Sequence, residues 1–376
     1  MSSVSIAGRA PAHIHSLSPY QPGKPISELA RETGIPESGI VKLASNENPL
    51  GMSPKARAAA VAALEEGARY PDGNAFALKA ALARKYGVDM AQLVIGNGSN
   101  DVLEIAAQAF LAPGSSTVFS QYSFAVYPLA TIARGARCIQ VSARNYGHDL
   151  DAMLLAIDQS TRIIFIANPN NPTGTFLPGN EIEVFLARVP QDVLVVLDEA
   201  YTEFLPAGAR YDAIAWVARF PNLLVSRTLC KAYGLAGLRL GYGVAHPEVA
   251  DLMNRVRQPF NASVVAQAAA VAALEDQDFV EKSAENNRRG MAQLTTAFAE
   301  MGLEWIPSFG NFVTVRVGDA ARVDKYLLAQ GIIVRPIAGY GLPEWLRVSI
   351  GLPEENARFI AALRRALTWR REKEGE

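Results

Sequence analysis

Val193-Leu194-Val195-Val196-Leu197-Asp198-Glu199-Ala200-Tyr201 is the stretch on which the fold turns: five apolar residues run without a break into a carboxylate. The run is strand-sized, and an ionised group at its end is costly unless it meets a cation or a metal. A helix N-cap is the competing role for Asp198. Working outward, similar short apolar runs recur at 93–95, 117–119, 138–141, 163–167, 223–226 and 240–244. Helical patterns fall between them, at 101–111, 124–133, 150–157, 181–188 and 247–256. Strands alternating with helices predict an α/β fold whose large domain holds a mostly parallel sheet flanked by helices. In such a sheet ligands gather at the carboxyl ends of the strands, which is where Asp198 falls.

Upstream, Ser53 as N-cap and Pro54 at the first helical position open an alanine-rich helix over 56–66, and a second helix over 74–86 ends at Gly87. Residues 1–45, broken by Pro19, Pro22, Gly23, Pro25 and Pro36, read as a loop-rich arm laid over another surface. After about residue 258 the pattern changes to two long helical stretches, 262–274 and 278–301, then strand-like runs at 312–317, 332–335 and 346–350 and a helix over 353–371. The expected organisation is an arm (1–45) associated with the small domain or a dimer partner, a large domain (46–258) and a smaller α/β domain (259–376).

Composition narrows the class. Lys+Arg number 36 against 37 Asp+Glu, so no polyanion-binding surface is indicated and nucleic acid is not an expected partner. Two cysteines, Cys138 and Cys230, argue against a disulfide framework and fit a reducing cytoplasm. The four histidines, His13, His15, His148 and His246, are scattered and no H-E-x-x-H occurs, so no metal is expected. Neither a secretory signal nor an apolar run near the ~20 residues of a membrane span is found, so no membrane partner is expected.

Several strand ends carry unusual chemistry. Gly96-Asn97-Gly98-Ser99-Asn100-Asp101 follows one run and opens a helix, which aims backbone N–H groups and the positive helix end at an anion. Asp101 breaks the dinucleotide fingerprint, and a plain tight turn is the alternative. Asn168-Pro169-Asn170-Asn171-Pro172-Thr173-Gly174 makes a rigid turn in which one X-Pro bond can be cis, with more amide polarity than turning requires. Residues 227–241, RTLCKAYGLAGLRLG, set Lys231 among Leu, Ala and Gly, where burial favours a neutral amine able to form a Schiff base. An ordinary loop lysine is the bland alternative. Tyr122 follows 117–119 and is either a packing aromatic or a ring at the site. Arg335 and Arg347 lie on strand-like runs, where arginines bind anions or form structural ion pairs.

A lysine, a carboxylate, amide and phenol donors, an aromatic face, a helix start and Arg239 are together the requirements of one cofactor, pyridoxal phosphate. The chain also resembles the fold-type I pyridoxal-phosphate aminotransferases and, within them, the histidinol-phosphate aminotransferases. The likeness runs from Leu17-Ser18-Pro19-Tyr20 through 43–51 (LASNENPLG), Arg69-Tyr70-Pro71-Asp72-Gly73, the Asn-Pro-Thr-Gly turn and Asp198-Glu199-Ala200-Tyr201 to the Lys231 segment.

The resemblance implies Lys231 as the Schiff-base lysine and Asp198 as partner of the pyridinium nitrogen, with Asn171 and Tyr201 on the phenolic oxygen and Tyr122 stacked on the ring. It places Ser99, Asn100, Thr228 and Arg239 at the phosphate, with Tyr70 reaching in from the other subunit of a homodimer. Tyr20, Asn48, Arg335 and Arg347 are implied at the substrate. The family commonly has Ser before its lysine; this chain has Cys230, a poorer donor. The implied reaction is transamination of L-histidinol phosphate with 2-oxoglutarate, in histidine biosynthesis. An aromatic amino-acid aminotransferase and a non-catalytic cofactor-binding regulator are the alternatives.

Overall fold

The computed structural model describes residues 5–374. Residues 1–4 of the expected arm and 375–376 of the expected small domain lie outside the described residues. In chain order the strands are β1 (Val41–Lys42), β2 (Leu93–Gly96), β3 (Ser116–Ser120), β4 (Arg137–Val141), β5 (Thr161–Ala167), β6 (Leu194–Asp198), β7 (Leu223–Thr228), β8 (Gly241–Ala245), β9 (Trp305–Ile306), β10 (Phe312–Arg316), β11 (Ile332–Ile333), β12 (Arg335–Pro336) and β13 (Trp345–Ser349).

Seven strands form the large sheet in the order β2-β8-β7-β6-β5-β3-β4. The pairings from β7 to β4 are parallel, and β8 runs antiparallel to both its neighbours. Alternation along each strand sends successive side chains to opposite faces. Val195 and Leu197 of β6 therefore join one apolar core, with Ile164, Ile166 and Val225, while Leu194 and Val196 join a second core on the other face, with Ile163, Phe165 and Leu224. Both faces are covered by helices, which is why the run carries no polar residue before Asp198. Each such fully buried side chain contributes about 1.5–3 kcal/mol. A one-residue slip would exchange the faces, so the apolar residues of β6 fix where its carboxylate emerges.

The small domain centres on an antiparallel sheet, β12-β13-β10-β9. The expected arm is more structured than its prolines suggest. Ile26–Thr33 is a helix closed by Gly34 in the left-handed region (φ 75°), and Leu29, Ile40 and Ala44 pack on Ile333. Parallel pairing of β1 with β11, Val41 to Ile332, ties this part of the arm into the small domain. A further helix, Ala320–Ala329, was absent from the sequence reading although Asp319 caps it by accepting from the Arg322 N–H.

The large-domain core also takes in residues beyond 258. The helix Val264–Leu274 sets Ala266, Ala269, Ala270 and Ala273 in the same core as Ala56 and Ala60 of the helix Pro54–Ala63, a close approach that small side chains permit. The following helix, Gln277–Glu300, begins with Val280 in the large-domain core and ends with Leu294 and Phe298 in that of the small domain. Among the described residues no helix is long and apolar enough to cross a membrane.

Candidate active site

A cavity opens at the carboxyl ends of β5, β6 and β7, and eleven of the expected residues line it: Tyr20, Ser99, Asn100, Asn171, Asp198, Tyr201, Thr228, Lys231, Arg239, Arg335 and Arg347. The large domain supplies its floor. Asp198, the last residue of β6, is buried, and its Oδ2 accepts from the Tyr127 hydroxyl at 2.9 Å while Oδ1 has no partner. Burial pushes its pKa up to about 6; the Tyr127 hydrogen bond opposes the shift, Glu199 adds to it and Lys231 opposes it. The neighbouring carboxylate is spent elsewhere, since Glu199 forms a buried ion pair at 2.8 Å with Arg227 of β7.

Lys231 lies just past β7, and its Nζ donates to the Ser45 carbonyl at 3.1 Å. Burial lowers its pKa to about 8, with Cys230 opposing and Arg347 reinforcing the shift. An amine so placed is partly neutral near physiological pH, as a nucleophile or proton carrier requires.

The end of the cavity built by residues 98–100 suits an anion. The helix Ser99–Phe110 starts at Gly98, whose φ of 84° and missing Cβ leave room for the Arg239 guanidinium; a Cβ there would strike it. Arg239 itself adopts φ 57° and donates to Cys230 Sγ at 3.3 Å. Thr228 Oγ1 accepts from the Cys230 N–H at 3.1 Å. Helix start, guanidinium and hydroxyl thus converge on one spot.

The roof combines small-domain and arm residues. Arg335 and Arg347 face each other across β12 and β13. Arg347 is buried, which lowers its pKa, and it donates to Asn171 Oδ1 and the Ala44 carbonyl, both at 2.6 Å, leaving a buried Nε without a partner. Arg335 reaches over the Tyr20 ring at 5.9 Å. The Tyr201 hydroxyl accepts from Asn46 Nδ2 at 2.9 Å, and burial raises its pKa to about 12. Asn46 is fixed in turn by Ser349, whose Oγ accepts from its N–H at 2.8 Å and donates to its Oδ1 at 2.9 Å. Both Asn168-Pro169 and Asn171-Pro172 are cis.

Three expected residues do not line this cavity. Tyr122 packs 6.0 Å from the Tyr146 ring, and Phe124 supplies the aromatic wall instead. The left-handed backbone at Tyr122 (φ 57°) comes between the strand end and Phe124, so counting from the strand chose the wrong ring. Asn48 is occupied by the Ala232 carbonyl, Ser283 and the Leu50 N–H, and Asn46, two residues earlier in the same motif, takes its place. Tyr70 lies outside this cavity, 83% exposed and stacked on Phe260 at 4.7 Å. Sequence reading also missed Tyr127, Phe124, Asn46 and Ser349. Two aromatic residues three apart, Phe124 and Tyr127, within the helix expected over 124–133 were the available signal for those two, although the helix itself begins at Val126.

These residues fit pyridoxal phosphate. Asp198 keeps one buried oxygen, without a partner among the described residues, for a ring N–H, and the start of the helix Ser99–Phe110, Thr228 and Arg239 line the same cavity as an anion site. The site and fold define a class: the model for aminotransferase class I and II matches residues 38–363, and the chain belongs to that family. Within it, the chain is 63% identical over 361 residues to histidinol-phosphate aminotransferase 1 of Cupriavidus pinatubonensis, covering 95% of this chain and 96% of that protein. It is 62% identical, over 361 residues and with the same coverage, to histidinol-phosphate aminotransferase 2 of Ralstonia nicotianae. The crystal structure of histidinol-phosphate aminotransferase from Sinorhizobium meliloti in complex with pyridoxal-5'-phosphate matches with a TM-score of 0.88 at 30% identity, covering 96% of this chain and 98% of that one.

Proposed function

We propose that this protein transfers the amino group of L-histidinol phosphate to 2-oxoglutarate, giving imidazole acetol phosphate and glutamate, as a step of histidine biosynthesis. The observation that carries the reading is the Arg335–Arg347 pair facing one another across two strands in the cavity that holds Lys231. Two guanidinium groups suit the phosphate of one substrate and the carboxylates of the other.

Pyridoxal phosphate, when bound, supplies an aldehyde for an amine and a protonated ring that accepts electrons from the substrate α-carbon. The chain's own residues do the rest. Ser99 and Asn100 N–H groups, Thr228 and Arg239 would hold its phosphate, and Asn171 and Tyr201 its phenolic oxygen. Asp198 would keep its ring nitrogen protonated, and Phe124 would supply the aromatic wall beside it. Lys231 Nζ, once neutral, takes a proton from the substrate α-carbon and later returns one.

A homodimer completes the site, with Tyr70 reaching the other subunit's phosphate. Its exposure supports this, as do the exposed Val61, Leu64 and Phe76 within the same stretch of chain. Mixing inactive Tyr70→Ala and Lys231→Ala subunits should recover activity through hybrid dimers; no recovery would remove Tyr70 from the shared site. A cytoplasmic location suits Cys138 and Cys230, which are both free thiols. Substrate choice is tested by kcat/KM for histidinol phosphate against phenylalanine. The reading expects a clear preference for histidinol phosphate, and the reverse preference would replace it with an aromatic amino-acid aminotransferase.

A further inference from the structure

We propose that Tyr127 is a positioning residue that keeps Asp198 ionised and turns one of its two carboxylate oxygens into the cavity. The inference rests on the reading of Asp198 as partner of the cofactor's ring nitrogen.

Tyr127 is fully buried on the helix Val126–Ala133. Its ring stacks on Phe165 of β5 at 4.6 Å with planes 3° apart, and the Phe124 ring meets it edge-on at 5.9 Å. With the ring held on two sides, its hydroxyl has one direction to point, and there it donates to Asp198 Oδ2. That bond occupies Oδ2 and leaves Oδ1 as the oxygen without a partner. A carboxylate at a strand end can turn about its last torsion, which is broad. One fixed donor on one oxygen removes that freedom.

The donor also decides charge. The groups that face Asp198 from the surrounding elements are Tyr127, Lys231, the Ala200 N–H and Glu199, with the Tyr201 hydroxyl nearby. Glu199 disfavours a second negative charge, and its own charge is balanced by Arg227. Lys231, with its pKa lowered by burial to about 8, stays mostly charged at neutral pH and also favours the carboxylate, but its hydrogen bond goes to the Ser45 carbonyl. Among the described residues, Tyr127 is therefore the one strong side-chain hydrogen-bond donor to Asp198. Desolvation and the adjacent carboxylate raise the Tyr127 pKa well above its ordinary value, so it remains a donor at every working pH. A hydrogen bond to the ionised form stabilises it, and losing that bond moves the Asp198 pKa upward from about 6 toward neutrality.

The test is the affinity of the apoprotein for pyridoxal phosphate, measured by absorbance titration between pH 6 and 9 for wild type, Tyr127→Phe, Asp198→Asn and the double variant. Taking the ratio of dissociation constants, variant to wild type, cancels the cofactor's own ionisations. For Tyr127→Phe the ratio should stay near one at the alkaline end and rise to about tenfold toward pH 6, as one lost charge-assisted hydrogen bond implies. In the Asp198→Asn background, Tyr127→Phe should add no pH dependence. Met253→Ala, which opens a cavity in the same core away from the Tyr127 ring, should lower the melting temperature and leave the pH profile in place. A ratio independent of pH, or one that stays near unity throughout, overturns the role of Tyr127 while leaving that of Asp198 intact. If Asp198→Asn itself binds pyridoxal phosphate as the wild type does, the reading of Asp198 fails instead.

Discussion

The floor and the roof of the cavity are held in place by different physics. Asp198 and Lys231 stand at or just past the ends of β6 and β7, whose register is locked by fully buried Val and Leu on both faces. The roof draws on Tyr20, Asn46, Arg335, Arg347 and Ser349, which are far apart in the chain and meet the floor largely through hydrogen bonds. Each such bond is worth about 0.5–1.5 kcal/mol net, and somewhat more where a guanidinium donates. Sliding the floor would cost the packing of a whole strand; rearranging the roof exchanges a few polar partners. Under the proposed function, the groups that carry protons belong to the rigid side, and those that grip substrate anions belong to the side able to trade Asn171 and Ala44 for a ligand oxygen.

The sharpest way to break this contrast is at Lys231. Lys231→Ala should lower kcat by at least about 10²–10⁴-fold, the share carried by a positioned proton carrier, in a steady-state assay. A loss confined to KM would move the amine from chemistry to binding. On the roof, Arg347→Met removes two buried bonds of a charged donor and should lower kcat/KM for both substrates by about a hundredfold. Arg335 is more open to solvent, so Arg335→Met should cost less, about tenfold, and more for histidinol phosphate than for phenylalanine. Equal losses from the two substitutions would show that burial does not separate them.

A subtler measurement concerns pH. The folded protein lowers the Lys231 pKa from 10.5 to about 8, so below pH 8 the amine is charged in both states and its burial cost is fully present. As pH rises from about 8 to 10.5, the folded state sheds the proton first and the cost is relieved. The apoprotein should therefore gain thermal stability relative to Lys231→Ala across that window. A constant gap would mean that the amine is hydrated.

The same contrast explains what the sequence makes legible. Strand-end chemistry is readable because an apolar run announces the strand and the first polar residue announces its end, as at Asp198, Asn168 and Asn97. From residue patterns the roof was readable at its charged residues, Arg335 and Arg347, because arginine on a strand asks for an anion, whereas Tyr20 came with the family resemblance. Asn46 and Asn48 are the same residue type two positions apart, and only the left-handed backbone at Asn46 and its tie to Ser349 decide which one enters. Tyr122 and Phe124 differ in the same way. Tyr127 escaped notice because a buried aromatic on a helix reads as core, and its hydroxyl partner lies 71 residues away. The helix Ile26–Thr33 was hidden behind prolines that flank it rather than interrupt it.

The smallest effect concerns the residue where this chain departs from the family's usual serine. Cys230 is buried beside Thr228; its Sγ lies 3.5 Å from the Leu240 carbonyl and accepts from Arg239 Nη1 at 3.3 Å. The thiol is thus a weak link between β8's approach and the guanidinium that sits against Gly98. A hydroxyl in its place meets the same donor and acceptor, so it is not buried unsatisfied, and oxygen makes both bonds stronger. Cys230→Ser should keep kcat and tighten pyridoxal phosphate binding by about 0.5 kcal/mol, a little over twofold, in an apoprotein titration. Weaker binding would show that the larger sulfur holds Arg239 by packing, and would place this corner of the floor under the same rule as the strands beneath it.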